Sequence, residues 1–504
     1  MGARSGAEYV EGLRDGREVW IDGERVKDVT RDRRLARGIR SVAALYDRQL
    51  DPALVEQMTY RSPTTGDRVG LSHIQPRSVE DLVRRRSMIK TWAEWSAGMM
   101  GRSPDFLNTM IMGCAANADY FAQNDPEYGK NIQRYYEEVR ERDLCLTHTL
   151  IAPQVNRSVL PDQQAGGDVA LRVVKETDAG LIVSGARILA TLAPGSDELF
   201  VAPSPSRSVG NLPSPRAFAF SVRCDTPGLR FICRESFDIG RSSFDHPLGS
   251  RFEEMDCTAV FNRVLVPWER VFLYGEQSYC AALFRDTDAF SHSIHQVLAK
   301  NWAKAEFVLG VATLMAESIG VQEHLHVQRM LGEILHAMLT IRSFVRAAEA
   351  DAAPGGGGVL APHQPTLLTA RCYFPEIYPR LVEILQLIGA SGLANIPSER
   401  STLEPEIADD ILLFYQGITL NGKERIRLFR LAWDIACSSF GGRQVLYERY
   451  FAGDVYRNPA NHYNIHDKRP YRELVEAFLA REPSLLPDTR PDPQPVSRPA
   501  APPR

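Results

Sequence analysis

The spacing of apolar and polar residues changes character twice along the chain. Between about residues 30 and 131, apolar positions recur at steps of three and four, which predicts helices. From about residue 149 the pattern changes to short alternating runs rich in β-branched residues, which predict strands. Helical spacing returns after about residue 275. The chain therefore reads as helices, then strands, then helices.

The predicted strands follow one another closely, and the first two flank a turn at residues 176–180. They cover residues 169–174, 181–189, 199–202, 217–222, 229–233 and 259–266. Such a series is typical of an antiparallel β domain that closes into a barrel.

A long helix with one apolar stripe is predicted after the strands. The stripe residues step by four and three and are Val327, Leu331, Ile334, Met338, Ile341 and Val345. Pro354 and the glycines at 355–358 end this helix, and further helices are predicted over 365–388 and 404–451. Together they indicate a bundle of about four helices.

These patterns predict an α+β protein with four segments. They are an N-terminal helical domain (1–148), a central antiparallel β-barrel domain (149–275), a C-terminal four-helix bundle (276–486) and a disordered, Pro-rich tail (487–504).

Composition and charge exclude several classes of protein. The 504 residues are 44% hydrophobic, and Lys+Arg 59 against Asp+Glu 63 leave a net charge of −4, which attracts neither nucleic acid nor an anionic membrane. The first 17 residues lack the apolar core of a secretory signal, and apolar runs such as 384–396 are too short to span a bilayer. We expect a cytoplasmic protein without nucleic-acid or membrane partners.

Common cofactor and catalytic motifs are missing from the sequence. It has no G-x-G-x-x-G between a strand and a helix, no P-loop, no G-x-S-x-G and no H-E-x-x-H. The eight cysteines show no zinc-ligand spacing, so we interpret them as reduced, mostly buried thiols and expect no metal. Electrons for any redox reaction must then come from elsewhere.

Six ordered segments carry a family resemblance. They are residues 9–30, 101–106, 147–158, 185–194, 244–269 and 441–449. Position by position they resemble the 4-hydroxyphenylacetate 3-monooxygenase family, whose fold is similar to that of the acyl-CoA dehydrogenases. The resemblance covers about residues 9–455, and six matches in order are more specific than any one of them.

The resemblance implies the oxygenase component of a two-component flavin enzyme. FADH2 from a separate NAD(P)H-flavin reductase would react with O2 to form a flavin C4a-hydroperoxide, which hydroxylates a phenol at its ortho carbon. The resemblance also implies a homotetramer whose neighbouring subunits complete each flavin site.

Five residues are candidates for contact with the flavin. Thr191 ends one predicted strand, and Gln154 and Arg157 follow another, so a hydroxyl, an amide and a guanidinium can face the polar edge of a flavin. Arg102 and Arg443 join them through the resemblance. The alternatives are an ordinary strand residue for Thr191 and a surface ion pair for Arg157.

The predicted substrate site combines Arg102, Phe106, His148, His292 and Ser204. Arg102 follows an apolar segment rich in Trp and Met, so a buried guanidinium there needs an anionic or carbonyl partner. His148 is suited to hydrogen-bond a phenol oxygen and to exchange its proton. His292 and His295, three residues apart, are second candidates for this role, and the resemblance favours His292. The alternatives are a helix-terminal Arg that binds carbonyl groups and a satisfied core His.

The sequence departs from the family pattern at Phe106 and in the loop that contains Ser204. The 4-hydroxyphenylacetate enzymes usually carry Tyr at the position of Phe106. The loop at 203–207 also differs from the usual substrate loop. Both changes favour a tyrosine-like phenol, including halogenated substrates or ones tethered to a peptidyl carrier protein.

Three other functions share parts of this pattern. A 4-hydroxybutyryl-CoA dehydratase needs three Cys and one His for an iron–sulfur cluster, and the segments around Arg102 and His292 lack those cysteines. An acyl-CoA dehydrogenase needs a carboxylate base that the sequence does not place. The third alternative is a flavin-binding protein without catalysis.

Overall fold

Helices dominate the first 145 residues of the computed structural model, which describes residues 2–156, 158–159, 163–202, 214–238 and 240–480. The helices of this part are α1 (Gly6–Gly12), α2 (Ala36–Gln49), α3 (Val55–Met58), α4 (Val79–Trp95), α5 (Pro104–Ala116), α6 (Ala118–Ala122) and α7 (Pro126–Arg142). Side-chain caps start three of them, since Ser5 accepts from the backbone N–H of Glu8, Ser78 from that of Asp81 and Asp125 from that of Glu127.

Helix α5 is the element that matters most for the site. Pro104 occupies its first turn, where a missing N–H costs nothing. Its side chains are buried on every face, and both α7 and the helix over Ala289–Ser318 pack against it. Phe106, in the first turn of this helix, is therefore buried close to the loop that carries Arg102.

The strands fall into two larger sheets and two short ribbons. They are β1 (Glu18–Ile21), β2 (Glu24–Arg25), β3 (Thr59–Arg61), β4 (Arg68–Gly70), β5 (Leu146–Thr149), β6 (Arg172–Thr177), β7 (Gly180–Arg187), β8 (Glu198–Val201), β9 (Phe218–Arg223), β10 (Leu229–Cys233), β11 (Cys257–Pro267), β12 (Val271–Tyr274), β13 (Ala353–Pro354) and β14 (Leu360–Ala361).

The sheet topology refines the predicted barrel. One sheet has the order β2-β1-β10-β11-β7-β6 and the other the order β12-β9-β8-β5, so the described strands form two sheets and not one closed barrel. Strand β1 pairs in parallel with β10, and β5 pairs in parallel with β8. Strands β1, β2 and β5 of these two sheets thus come from the part of the chain predicted to be helical.

The C-terminal part is helical, as predicted. Its helices are α8 (Gln277–Asp286), α9 (Ala289–Ser318), α10 (Leu325–Ala350), α11 (Gln364–Ala394), α12 (Glu399–Thr402), α13 (Ala408–Phe414), α14 (Gly422–Ala436), α15 (Ser439–Tyr450), α16 (Arg457–Ile465) and α17 (Arg469–Leu479). Helices α9, α10 and α11 pack on one another, and α14 and α15 pack on α11.

The predicted apolar stripe lies on the packed face of α10. Val327, Ile334, Ile341 and Val345 are buried there, while Leu331 and Met338 are half-buried against the core. The α+β fold class is confirmed, with helices before and after the sheets.

Among the described residues, those up to 459 form one compact unit, and those from 460 to 480 belong to a second. The boundaries at 148 and 275 stay predictions, because they fall inside the first unit. In the second unit, α17 exposes Leu474 and Phe478. The predicted tail at 487–504 lies outside the described residues. No described helix is both long and apolar enough to cross a bilayer.

Candidate active site

Arg102 lies in the loop between α4 and α5, and its guanidinium is enclosed by aromatic rings. The guanidinium carbon is 4.6 Å from the ring centres of both Phe106 and Phe451. Nη1 donates to the Tyr447 hydroxyl at 2.6 Å and to the carbonyl of Gly101 at 3.1 Å. Ring faces attract a cation, so this cage stabilises a charge that is only 6% exposed.

Tyr447, on α15, holds the Arg102 loop from the other side. Its hydroxyl donates to the Gly101 carbonyl at 3.2 Å while it accepts from Arg102. A Cβ added to Gly101 would lie 2.1 Å from that hydroxyl, so only glycine allows this approach. Phe451 stacks on the Tyr447 ring at 5.1 Å. The end of α15 thus forms one wall of the site.

His148, on β5, meets the same aromatic group. Its ring centre is 5.5 Å from that of Phe106. Burial, and then the charge of Arg102, lower the pKa of His148 well below its usual range. The imidazole is therefore neutral near pH 7, whereas the sequence suggested a group that exchanges its proton there.

Two buried polar atoms beside Phe106 lack a partner within the described residues. They are Nε of Arg102 and Nδ1 of His148. Buried polar atoms are normally hydrogen-bonded, so these two indicate a polar ligand or water at this place. A neutral His and a cationic Arg together suit a planar ligand that carries an oxygen, such as a phenol.

Glu254 connects the Arg102 loop to the sheet. Its carboxylate accepts from the backbone N–H groups of Gly101 at 2.9 Å and Arg102 at 2.5 Å. It also pairs with Nη1 of Arg443 at 3.4 Å. A carboxylate with two backbone donors and one cation satisfies its charge when buried.

Asp256 extends this network to Thr191. It accepts from the Thr191 hydroxyl at 2.6 Å and from Arg443 at 2.8 and 3.0 Å, and it pairs with Arg234 at 2.9 Å. Burial raises its pKa, but the charges and hydrogen bonds of Arg443 and Arg234 outweigh burial, so the pKa of Asp256 lies below its usual range. Thr191, Arg443 and Arg102 thus belong to one connected network.

The backbone around Thr191 is held in an unusual shape. Leu189 and Leu192 have φ of 62° and 67°, which side chains rarely adopt, and Thr147 donates to the Thr191 carbonyl. Gly185 has φ of 117°, and a Cβ there would lie 2.7 Å from the Ala170 carbonyl. Non-glycine residues with positive φ cluster at functional sites, which makes the backbone at 189–192 a candidate ligand contact.

The structure tests the other predicted flavin contacts only in part. Arg443 uses Nε, Nη1 and Nη2 on Asp256 and Glu254, so its direct contact with a flavin stays a prediction. Gln154 lies exposed after β5. Arg157 and the substrate candidate Ser204 lie outside the described residues.

His292 belongs to a second buried cluster. Nη2 of Arg85 contacts Nδ1 of His292 at 3.0 Å and Nδ1 of His295 at 3.4 Å, and His295 contacts Glu349 at 2.9 Å. Burial and the charge of Arg85 lower the pKa of His292 well below its usual range. No recorded contact of the described residues joins it to Arg102 or His148, so its place beside the substrate stays a prediction.

A buried charge cluster anchors α15 to α9. The ammonium groups of Lys300 and Lys304 lie 2.5 and 2.6 Å from one oxygen of Glu448, and Lys304 also donates to Gln444 at 2.8 Å. Burial lowers the pKa of Lys304 to about 7, although Glu448 opposes that shift. Glu448 follows Tyr447 directly, so the cluster fixes the helix that contacts Arg102.

The sequence missed most of these supporting residues. Tyr447 and Glu448 stand in the sixth matching segment, and Glu254 in the fifth. The resemblance therefore marked these three residues but did not indicate what each of them does. Asp256 falls between the matched residues of the fifth segment and Phe451 lies beyond the sixth, so neither carried a signal. Among the described residues, no group of three or more His, Cys, Asp or Glu side chains is placed to hold a metal ion.

Comparison with known proteins gives this geometry a context. Two family models match, 4-hydroxyphenylacetate 3-hydroxylase N terminal over residues 5–273 and 4-hydroxyphenylacetate 3-hydroxylase C terminal over residues 280–480. The chain belongs to the 4-hydroxyphenylacetate 3-hydroxylase family. The resemblance inferred from the six segments is thereby confirmed.

Three relatives are informative. The 4-hydroxyphenylacetate 3-monooxygenase oxygenase component of Geobacillus sp. (strain PA-9) is 46% identical over 480 residues, which are 95% of this chain and 97% of the relative. A Streptomyces globisporus enzyme is 36% identical, and the match covers 89% of this chain and 85% of that enzyme. It is named as a monooxygenase of a (3S)-3-amino-3-(3-chloro-4-hydroxyphenyl)propanoyl group on a peptidyl-carrier protein.

The third is a crystal structure. It is an oxygenase component of 4-hydroxyphenylacetate 3-monooxygenase complexed with FAD and 4-hydroxyphenylacetate. It superposes with a TM-score of 0.91 at 45% identity and covers 95% of this chain and 98% of the other.

Proposed function

We propose that this protein is the oxygenase component of a two-component monooxygenase that hydroxylates a phenol ortho to its hydroxyl group. The observation that carries the proposal is the pair of unpartnered buried atoms, Arg102 Nε and His148 Nδ1, beside the Phe106 ring. Membership of the hydroxylase family over both halves of the chain supports it. The dehydratase and acyl-CoA dehydrogenase alternatives have no comparable support.

The residues of the site fit FAD as the cofactor. Thr191 and Gln154 would hold its polar edge, the strained backbone at 189–192 would shape the contact, and Arg102 would also contact it. Reduced FAD, when bound, supplies the electrons that activate O2. Because the sequence lacks a nicotinamide-binding motif, we propose that a separate NAD(P)H-flavin reductase delivers FADH2.

The chain's own residues would prepare the phenol. Arg102 Nε can donate to the phenol oxygen, and its charge favours the phenolate form. His148 is neutral, so Nδ1 can accept a hydrogen bond from the phenol hydroxyl. A phenolate is electron-rich at its ortho carbon, the position that is oxygenated. Phe106, Phe451 and the Tyr447 ring exclude water from this reaction.

We further propose a tyrosine-like substrate, including halogenated phenols or phenols tethered to a peptidyl carrier protein. The relative from Streptomyces globisporus, which acts on such a group, supports this substrate class. Phe106 keeps an aromatic wall but offers no hydroxyl for the phenol. We also propose Ser204 and His292 as substrate contacts. We propose that the protein acts as a homotetramer in the cytoplasm.

Purified protein supplied with an independent flavin reductase tests the reaction. We expect catechol formation from a phenol, and we expect Arg102→Ala and His148→Ala to form hydrogen peroxide instead while flavin oxidation continues. Arg84→Ala, an exposed position on α4, serves as the matched control and should behave as wild type.

Two outcomes would contradict the proposal. Turnover of NADH by the chain alone would exclude the two-component scheme. Wild-type catechol yield in both site variants would remove Arg102 and His148 from substrate handling. Assaying free against carrier-tethered tyrosine analogues then separates the two substrate classes.

A further inference from the structure

Two cysteines lie side by side on neighbouring strands of the larger sheet. Cys233 of β10 and Cys257 of β11 are direct partners in the strand register, and their Sγ atoms are 3.3 Å apart. All eight cysteines are free thiols in the structure. This contact therefore joins two reduced sulfur atoms.

The position of the pair in the ladder suits a covalent link. Arg234 N donates to Asp256 O at 3.2 Å, and Asn262 N donates to Gly228 O at 2.9 Å, which marks the hydrogen-bonded positions on either side. Alternation along an antiparallel ladder then places Cys233 and Cys257 opposite each other without hydrogen bonds, where Cα atoms lie about 4.5 Å apart. A disulfide accepts Cα separations of roughly 4.4–6.8 Å.

The two thiols differ in their access to solvent. Cys233 is half-buried, while Cys257 is 4% exposed and its Sγ lies 3.7 Å from the carbonyl of Met255. Burial, followed by the contact with Cys233, raises the pKa of the Cys257 thiol well above its usual range. A small oxidant therefore meets Cys233 first, and Cys257 is the thiol that can resolve the product.

We propose that Cys233 and Cys257 form an oxidative modification site at which hydrogen peroxide produces an intramolecular disulfide. The Cys233 thiolate attacks one peroxide oxygen, the O–O bond breaks, and a sulfenic acid and hydroxide form, the latter taking up the thiol's proton as water. The Cys257 sulfur then attacks the sulfenic sulfur, an S–S bond forms, and water leaves with the Cys257 proton. The two thiols lose two electrons and two protons, and one peroxide becomes two waters.

The site lies next to the network under Thr191. Cys257 follows Asp256 in the chain, and its carbonyl accepts from the backbone N–H of Ala190 at 2.9 Å. Hydrogen peroxide is also what a reduced flavin releases when its oxidation by O2 is not coupled to hydroxylation. The proposal nevertheless requires only peroxide from any source, so it stands apart from the proposed function.

Peptide mapping of the full-length protein tests it. Fully reduced protein is treated with a small excess of hydrogen peroxide, remaining thiols are alkylated, and the chain is digested with trypsin without reductant. Cleavage yields peptides 231–234 and 252–263, each with one cysteine. We expect them to appear as one cross-linked species, lighter by two hydrogen atoms than their sum, that dithiothreitol separates.

Single variants show whether the link is specific. Cys233→Ser and Cys257→Ser should each abolish the cross-linked peptide, and the buried Cys257 should then stay reduced in Cys233→Ser. Cys437→Ser, which removes an exposed and isolated thiol, should leave the link unchanged. Alkylated Cys233 after peroxide, or Cys233 found only as sulfinic acid or linked to a different cysteine, would overturn the proposal.

Discussion

Tyr447→Phe tests whether Arg102 depends on α15 for its position. The change removes one hydroxyl and keeps the ring, which stacks on Phe451 at 5.1 Å. The hydroxyl accepts from Arg102 at 2.6 Å and donates to Gly101 at 3.2 Å, so the variant loses both bonds. Helix α15 itself should remain folded, because its buried packing surface is unchanged.

The size of the effect follows from these contacts. A hydrogen bond to a charged group contributes about 1.5–3 kcal/mol. Nη1 of Arg102 keeps the Gly101 carbonyl at 3.1 Å, so part of that energy is retained. A net loss of about 1–1.5 kcal/mol corresponds to a roughly 5- to 12-fold weaker hold on a ligand that needs Arg102 in place.

Two measurements read out this loss. Calorimetric titration with a phenol that wild type binds should give a Kd raised by that factor, and the yield of catechol per FADH2 should fall while the thermal midpoint changes little. Tyr450→Phe is the matched control on the same helix, since that side chain is 53% exposed. If Tyr447→Phe binds the phenol as tightly as wild type, Arg102 is positioned without Tyr447 and our reasoning is refuted.

Three further predictions concern substrate choice, buried charge and pH. Phe106→Tyr should shift preference toward smaller phenols without abolishing hydroxylation, measured as kcat/KM over a substrate series; a folded but inactive variant would contradict our view of this wall. Glu448→Gln removes the carboxylate that pairs with both Lys300 and Lys304 and should lower the free energy of unfolding, measured in urea, by about 3–5 kcal/mol. Lys304→Met leaves one lysine paired with one carboxylate and should lower it much less. Equal losses in the two variants would contradict this reasoning. The pKa of His148 is lower in the folded chain than its unfolded value of about 6.5, so the unfolded state binds the extra proton below that pH and stability falls as pH drops from 7 to 5. The free energy of unfolding of His148→Gln should fall less steeply over this pH range than that of wild type, by up to about 1.4 kcal/mol per pH unit. The exposed variant His326→Gln should follow wild type.

The fold could be predicted from the sequence wherever one segment carried its own period. The stripe on α10 and the hairpin of β6 and β7 are local patterns, and both are found where they were expected. Strand β1 could not be assigned to its sheet in this way, because it pairs with β10 more than 200 residues later. Short edge strands have too few residues for a period, and their partners decide their structure.

The candidate site shows the same division. Arg102, Phe106 and His148 stood out in the sequence because each lies in a distinctive segment, and the structure gathers them around one ring. Their supports come from distant positions, such as Tyr447 for Arg102 and Asp256 for Thr191. The charge state of His148 was also invisible in the sequence, since burial sets it.

The sequence by itself determined the order of helices, strands and helices along the three main parts of the chain, and it determined the family, because periodicity and ordered motifs are local properties. Only the tertiary structure decided which charges meet. Glu254 and Asp256 both pair with Arg443, and Glu254 also binds the Arg102 loop, through chain folding across about 150 to 190 residues. A buried charge needs its partner in space, and adjacency in sequence does not provide it.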